Sequence, residues 1–201
     1  MKEKILQTAA NMFLTYGFKS VTMDEISREL GISKKTIYSH FANKTKLVEA
    51  VTLYLFEIIS TGIDNIVKQN LNVIEEIYVI RNFVSKHLKD EKSSPIHQLQ
   101  KYYRKIYHDL HSRRLAIMDQ CVVSNLQRGI GTGIYRADIN VPIISRLYYM
   151  GMTVIKNEEM FPPAEFPLSE VTNHYLDYHL RAISTEKGLE ILKKFTNENQ
   201  N

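Results

Sequence analysis

The 201-residue sequence has one cysteine, Cys121, five prolines and eight glycines. A single cysteine excludes an internal disulfide and suits a reducing compartment. No proline precedes Pro95, and such sparse punctuation favours helices over strands and turns. A continuous apolar leader is also missing: the opening KEKILQTAANMFLTYG is amphipathic, so no secretory signal is expected. The most apolar stretch, LYYMGMTVI at 147–155, is shorter than the roughly 20 residues a bilayer-crossing helix needs. A cytoplasmic protein with no membrane partner is expected. The chain lacks a Ser/His/Asp set, a phosphate loop and paired carboxylates, so no enzymatic activity is expected. Of histidines 87, 97, 108, 111, 174 and 179, His108 and His111 have a plausible i, i+3 spacing. No cysteine or carboxylate cluster completes a metal site around them, and neither metal nor cofactor is expected.

What is present is an ordinary globular composition, 44% hydrophobic and 24% charged, with enough chain for a substantial core. The formal charge of +4 is unevenly placed. Residues 1–47 carry eight Lys/Arg against four Asp/Glu, and the rest of the chain carries 18 of each sign. All of the positive excess lies in the first quarter, which suits a polyanion partner as well as a merely solvated basic face.

Apolar residues recur at helical spacing from Ile5 through Ala9 and Phe13 to Tyr16. Thr22-Met-Asp-Glu25 reads as a capping box opening a short helix through Leu30. Gly31 supplies a left-handed exit, Ser33 caps a helix over 34–41, and Asn43 caps a long one to about 68. Further starts are read at Asn72, running to about Lys89, and at Ser94-Pro95. The tract after Pro95 is long, with a break read near His111, and it ends at the Gly129, Gly131, Gly133 loop. Asn140-Val-Pro142 starts a helix to about Glu159, Ser169 starts another to about Ser184, and Thr185 caps a short tail helix. No strand alternation persists. The expected fold is all-α, with about nine to ten helices, divided as 1–47 and 48–201 with the helix over about 44–68 as connector.

Two short helices joined by GIS, with apolar residues only where they would cross, form a helix-turn-helix. Its second helix leaves a polar, basic and aromatic face that can enter a major groove. The alternative is a helical corner whose lysines are only solvated. On AANMFLTYGFKSVTMDEISRELGISKKTIYSHFANKTKLVEAV, over about residues 3–55, the chain resembles the DNA-binding domain of the TetR family of transcriptional repressors. Ser27 departs from it, standing where the family usually has alanine. The remainder resembles the family in being helical and in GIYRAD before the eighth helix.

The resemblance implies a homodimer on double-stranded DNA, a palindromic operator, and a small-molecule inducer in the divergent C-terminal domain. Thr22, Tyr38, His40 and Lys44 match positions that touch backbone phosphates. Lys34, Lys35 and Thr36 match positions that reach base edges, with Ser33 at the start of the same helix. The last two long helices correspond to a dimeric four-helix bundle, which makes Leu147, Met150, Ile155, Tyr175 and Tyr178 candidate interface residues. The helix over 142–159 is apolar on more than one side and is expected to be buried all round. Tyr102, Tyr103, Tyr107, Met118, Cys121 and Tyr148 are candidate ligand contacts; tyrosines of this kind also serve as core or boundary residues, and Cys121 as a small core residue.

Overall fold

The computed structural model describes residues 1–88 and 93–198, with side chains over 1–88 and 95–196. Among the described residues ten helices make up the architecture: α1 (Lys2–Tyr16), α2 (Met23–Glu29), α3 (Lys34–Tyr38), α4 (Lys44–Val67), α5 (Val73–Leu88), α6 (Ser93–Tyr102), α7 (Arg104–Gly131), α8 (Val141–Val154), α9 (Leu168–Ile183) and α10 (Glu186–Glu198). The fold is all-α as expected, with one isolated bridge between Tyr135 and Ser184 outside the helices.

Local signals set most boundaries. Thr22 and Glu25 form the full capping box. Gly31 turns out of α2 at φ 63°, Ser33 accepts from the Thr36 amide at 3.1 Å, and Asn43 accepts from the Lys46 amide at 2.9 Å. Asn72, Asn140 and Thr185 cap α5, α8 and α10 in the same way. Four expectations change. α3 stops at Tyr38 rather than 41, because residues 39–41 tighten into a single turn that keeps Phe41 in the core. α7 runs unbroken past His111; no Gly or Pro lies between Arg104 and Arg128, so nothing interrupts its hydrogen bonds. α8 ends at Val154 rather than near 159. α6 begins at Ser93, placing Ser94 inside the helix; a cap by the Ser94 side chain, like a helix end at Lys89, lies outside the described residues.

The chain forms two compact units, Met1–Gly62 with Val84–Arg114, and Ile63–Phe83 with Leu115–Asn201. The first is built on Ile5, Ala9 and Phe13 of α1, Ile26 of α2, Ile37 of α3, and Leu47 and Val51 of α4, all at 0% exposure. A five-residue helix such as α3 has no stability of its own. Burial of Ile37, worth roughly 1.5–3 kcal/mol, ties it to that core. Tyr16, expected on the α1 stripe, is exposed at the last residue of the helix, where the chain turns away at Gly17. α4 is long and apolar enough to cross a membrane by composition, unlike the shorter apolar stretch at 147–155, but its Leu47, Val48 and Val51 are core residues. The second unit packs around Leu126, Tyr135, Leu176, Leu180, Ile183 and Leu192.

Candidate functional site

In the first unit, the residues between and after α2 and α3 divide cleanly by burial. Ile26, Ile37 and Phe41 face inward, whereas Lys34, Lys35, Tyr38 and His40 are exposed and Thr36 is half-buried. The outward set therefore sits on a short helix and the turn that follows it, both fixed from behind. Several candidates already have partners within the chain. The Lys34 ammonium pairs with Asp24, a contact that competes with any further partner Lys34 takes. Ser33 Oγ is engaged as N-cap and lies 2.9 Å from Thr36 Oγ1. Thr22 Oγ donates to Glu25 Oε2 at 2.9 Å, and the Thr22 amide donates to the same oxygen at 2.7 Å. These bonds hold the Glu25 carboxyl below its ordinary range, the backbone bond most strongly.

Lys44 begins α4 and donates to the Lys19 carbonyl at 2.8 Å. Partial burial, then the neighbouring Lys19 charge, lower its pKa, against the pull of Glu25. A cation held this way at a helix N-terminus is positioned for an anion that the helix end itself favours. Thr22, Lys44 and the exposed face of α3 thus form one surface rich in hydrogen-bond donors. Its chemistry fits a duplex: amides and ammonium groups for phosphate, and Lys35 and Thr36 for base edges.

The second unit contains an apolar cavity of about 40 Å³. Ile63 of α4 and Ile77 and Ile80 of α5 form part of its wall, with Ile117, Met118 and Cys121 of α7 along another part. Tyr148 and His179 complete it from α8 and α9. Met118, Cys121 and Tyr148, expected as ligand contacts, come together here. Tyr103 and Tyr107 instead pack on the core of the first unit, and Tyr102 lies there too, its ring 5.1 Å from Lys19 Nζ. Sequence reasoning missed Glu76, Asn125 and His179. Glu76 is fully buried; Asn125 Nδ2 donates to its Oε1 at 2.8 Å and the Arg128 guanidinium pairs with it. Tyr135 Oη donates to Asn125 Oδ1 at 3.2 Å. The available signal was a carboxylate set within an apolar helical stripe, Val73, Glu76, Ile77 and Ile80.

Burial shapes the chemistry of this cavity. The Cys121 thiol is pushed up to about 11, by desolvation first and by Glu76 second, which makes it a poor nucleophile at neutral pH. Desolvation lowers His179 to about 4, so its imidazole is neutral at pH 7, and its ring centroid lies 5.0 Å from that of Tyr148. Among the described residues no group of His, Cys, Asp and Glu is arranged to hold a metal ion.

Of the candidate interface residues, Leu147 and Met150 on α8 and Tyr178 on α9 are exposed, at 52%, 59% and 73%. Ile143 and Val154 extend the same stripe of α8. Ile155 is buried within the unit, and Tyr175 is half-buried, donating to the carbonyls of Leu147 and Tyr148 at 3.1 Å. α8 is therefore not buried all round; one apolar face of it meets solvent in the single chain.

Residues 5–51 match the model of the bacterial regulatory proteins of the tetR family. A nucleoid occlusion factor SlmA from Marinomonas is 30% identical over 83 residues, which is 41% of this chain and 42% of that protein. The chain spans less than half the length of the first curated relatives it matches. The transcriptional repressor KstR2 of Mycolicibacterium smegmatis is 25% identical over 93% of this chain and 92% of its own. Among solved structures, SmeT, the repressor of a multidrug efflux pump of Stenotrophomonas maltophilia, superposes with a TM-score of 0.70 at 16% identity, over 92% of this chain and 91% of that one. The ketosteroid regulator KstR2 of Mycobacterium tuberculosis gives 0.61 at 20% identity, over 92% and 95%. These two structural likenesses speak to the fold.

Proposed function

Because the chain belongs to the TetR family through its N-terminal domain, we propose that it is a ligand-responsive transcriptional repressor, acting in the cytoplasm as a homodimer on a palindromic operator and released by a small molecule. The observation that carries this reading is the surface of α3. Lys35 and Tyr38 are exposed on a five-residue helix fastened from behind by Ile37, with His40 exposed in the turn after it and Lys44 held at the start of α4. Such a helix contributes little to stability, whereas its outward face matches what a major groove presents.

A second copy of the chain is the natural cover for the apolar stripe Ile143, Leu147, Met150 and Val154, and two-fold symmetry would then repeat α3 on the DNA. The apolar cavity of the second unit would hold the inducer. α4 begins at Lys44 in the first unit and ends with residues of the second, so it is the lever through which occupancy would shift the DNA-competent population. Coupling of this kind is reciprocal: a ligand that weakens operator binding tenfold is itself bound about tenfold more weakly by the operator complex.

A nucleoid-associated role is the rival, favoured by the likeness to nucleoid occlusion factors, but that match covers 41% of the chain, whereas the likeness to a repressor runs along 93% of it. Selection of bound duplexes from random DNA separates the two. Enrichment of a palindrome whose half-sites lie one helical turn or a multiple apart is expected. Binding without enrichment would support the architectural role instead.

A further inference from the structure

Glu76 is a carboxylate with no exposure to solvent, lining a cavity whose other walls are mostly aliphatic. Its two oxygens are treated differently. Oε1 takes the Asn125 amide and the Arg128 guanidinium. Oε2 is equally buried and accepts no hydrogen bond among the described residues. A buried acceptor left unmatched is costly, and one on a charged group more so. Such a group calls for a partner beyond the side chains around it, either an ordered water or a ligand that enters the site.

Resting on the reading of this cavity as the inducer site, we infer that its ligand is an uncharged, mainly apolar molecule bearing one O–H or N–H group, which donates to Glu76 Oε2. The charge follows from the surroundings. Arg128 already balances the Glu76 carboxylate, so a cationic ligand would leave a net buried charge among Ile77, Ile80 and Ile117, an expensive arrangement. An anionic ligand would oppose Glu76 directly. A neutral donor satisfies Oε2 and leaves the local charge at zero. The apolar remainder of the molecule would meet the isoleucines and Met118, whose unbranched side chain can yield to admit a body larger than the about 40 Å³ now open.

The test uses the full chain free of DNA, with the methyl groups of Ile63, Ile77, Ile80, Ile117 and Met118 as site-specific NMR reporters, titrated with phenol, toluene and benzylamine. Phenol and toluene differ by one O–H against one methyl, and benzylamine carries a cation at neutral pH. Phenol is expected to shift these methyls with an affinity at least about tenfold above the other two. In Glu76→Gln, which keeps the volume and removes the carboxylate, the phenol advantage should shrink. Toluene binding as tightly as phenol would overturn the donor requirement while leaving a ligand cavity in place. Tighter binding of benzylamine would replace the neutral class by a cationic one. If none of the three moves any reporter methyl, the cavity reading itself falls along with the inference. The comparison on the unaltered protein decides the matter even if Glu76→Gln fails to fold.

Discussion

The two units bury different things. The first encloses a core of Ile, Leu, Val, Ala, Met and Phe in which, among the described residues, the buried polar residues are Ser27 and Thr52. Both are satisfied within their own helices, Ser27 Oγ donating to Asp24 O at 2.8 Å and Thr52 Oγ1 to Glu49 O at 2.9 Å. The second encloses Glu76, Asn125, Ser145, Thr172, His179 and Ser184. An interior this nearly apolar suits a part that holds a surface still, and here that surface is α3. Polar groups in an interior cost stability unless they recognise something or fix a unique arrangement. On the proposed function, the working chemistry lies on the outside of one unit and on the inside of the other.

The sharpest way to break that contrast is at the solvent-facing stripe of α8. A charge placed in an apolar interface must be desolvated without a partner. Leu147→Glu should give a monomer of unchanged helical content that no longer binds operator, as read by sedimentation and circular dichroism. Ile155→Glu should behave otherwise: Ile155 is buried inside its own unit, so this variant should lose thermal stability rather than assembly alone. An intact Leu147→Glu dimer would move the interface elsewhere.

Next in size is the apolar core itself. Phe13 is fully buried and stacks on Phe18 at 5.0 Å. Phe13→Ala should cost about 3–5 kcal/mol in denaturant titration, and DNA binding should fall only as far as folding does. The polar interior should respond to pH instead. His179 has its pKa lowered from 6.5 to about 4 by desolvation. Between those values the unfolded chain takes up a proton there that the folded chain does not. Stability is therefore lost as pH falls through that window, by on the order of 1–3 kcal/mol. His179→Gln should flatten this acid limb while leaving stability at pH 7 within about 1 kcal/mol.

Much of the first unit was legible because its determinants are local. Thr22 with Glu25, Gly31, Ser33 and Asn43 each act within four residues, and Ile26, Ile37 and Phe41 are spaced as a helix-turn-helix requires. The second unit was less legible because its determinants are distant in sequence. Glu76 resembles an ordinary acidic residue in the first turn of a helix until α7 brings Asn125 and Arg128, 49 and 52 residues on, against it. α8 is apolar on several sides, and only tertiary packing distinguishes the covered Tyr148 from the open Leu147. Tyr107 shares α7 with the cavity-lining Ile117, Met118 and Cys121, yet it lies on the part of that helix that belongs to the first unit, as do Tyr102 and Tyr103 just before it.

The smallest expected effects separate anchoring from reading on the α3 surface. Tyr38→Phe and Lys44→Ala should weaken specific and non-specific DNA binding alike, with Lys44→Ala lowering the salt slope by about one unit. Lys34→Ala and Lys35→Ala should alter which operator variants are preferred, by about 1–3 kcal/mol per discriminated base pair. Lys34→Ala should show less than Lys35→Ala if breaking its pair with Asp24 offsets part of its contact energy.

The most direct measurement is fluorescence anisotropy of the full chain at about 150 mM salt, on the selected palindrome and on a scrambled duplex of the same length and composition. If α3 reads sequence, the palindrome should bind at least about 10³-fold more tightly, with two chains on each duplex. Equal affinity for the two duplexes would contradict sequence-specific recognition and leave α3 as no more than a basic corner of the fold.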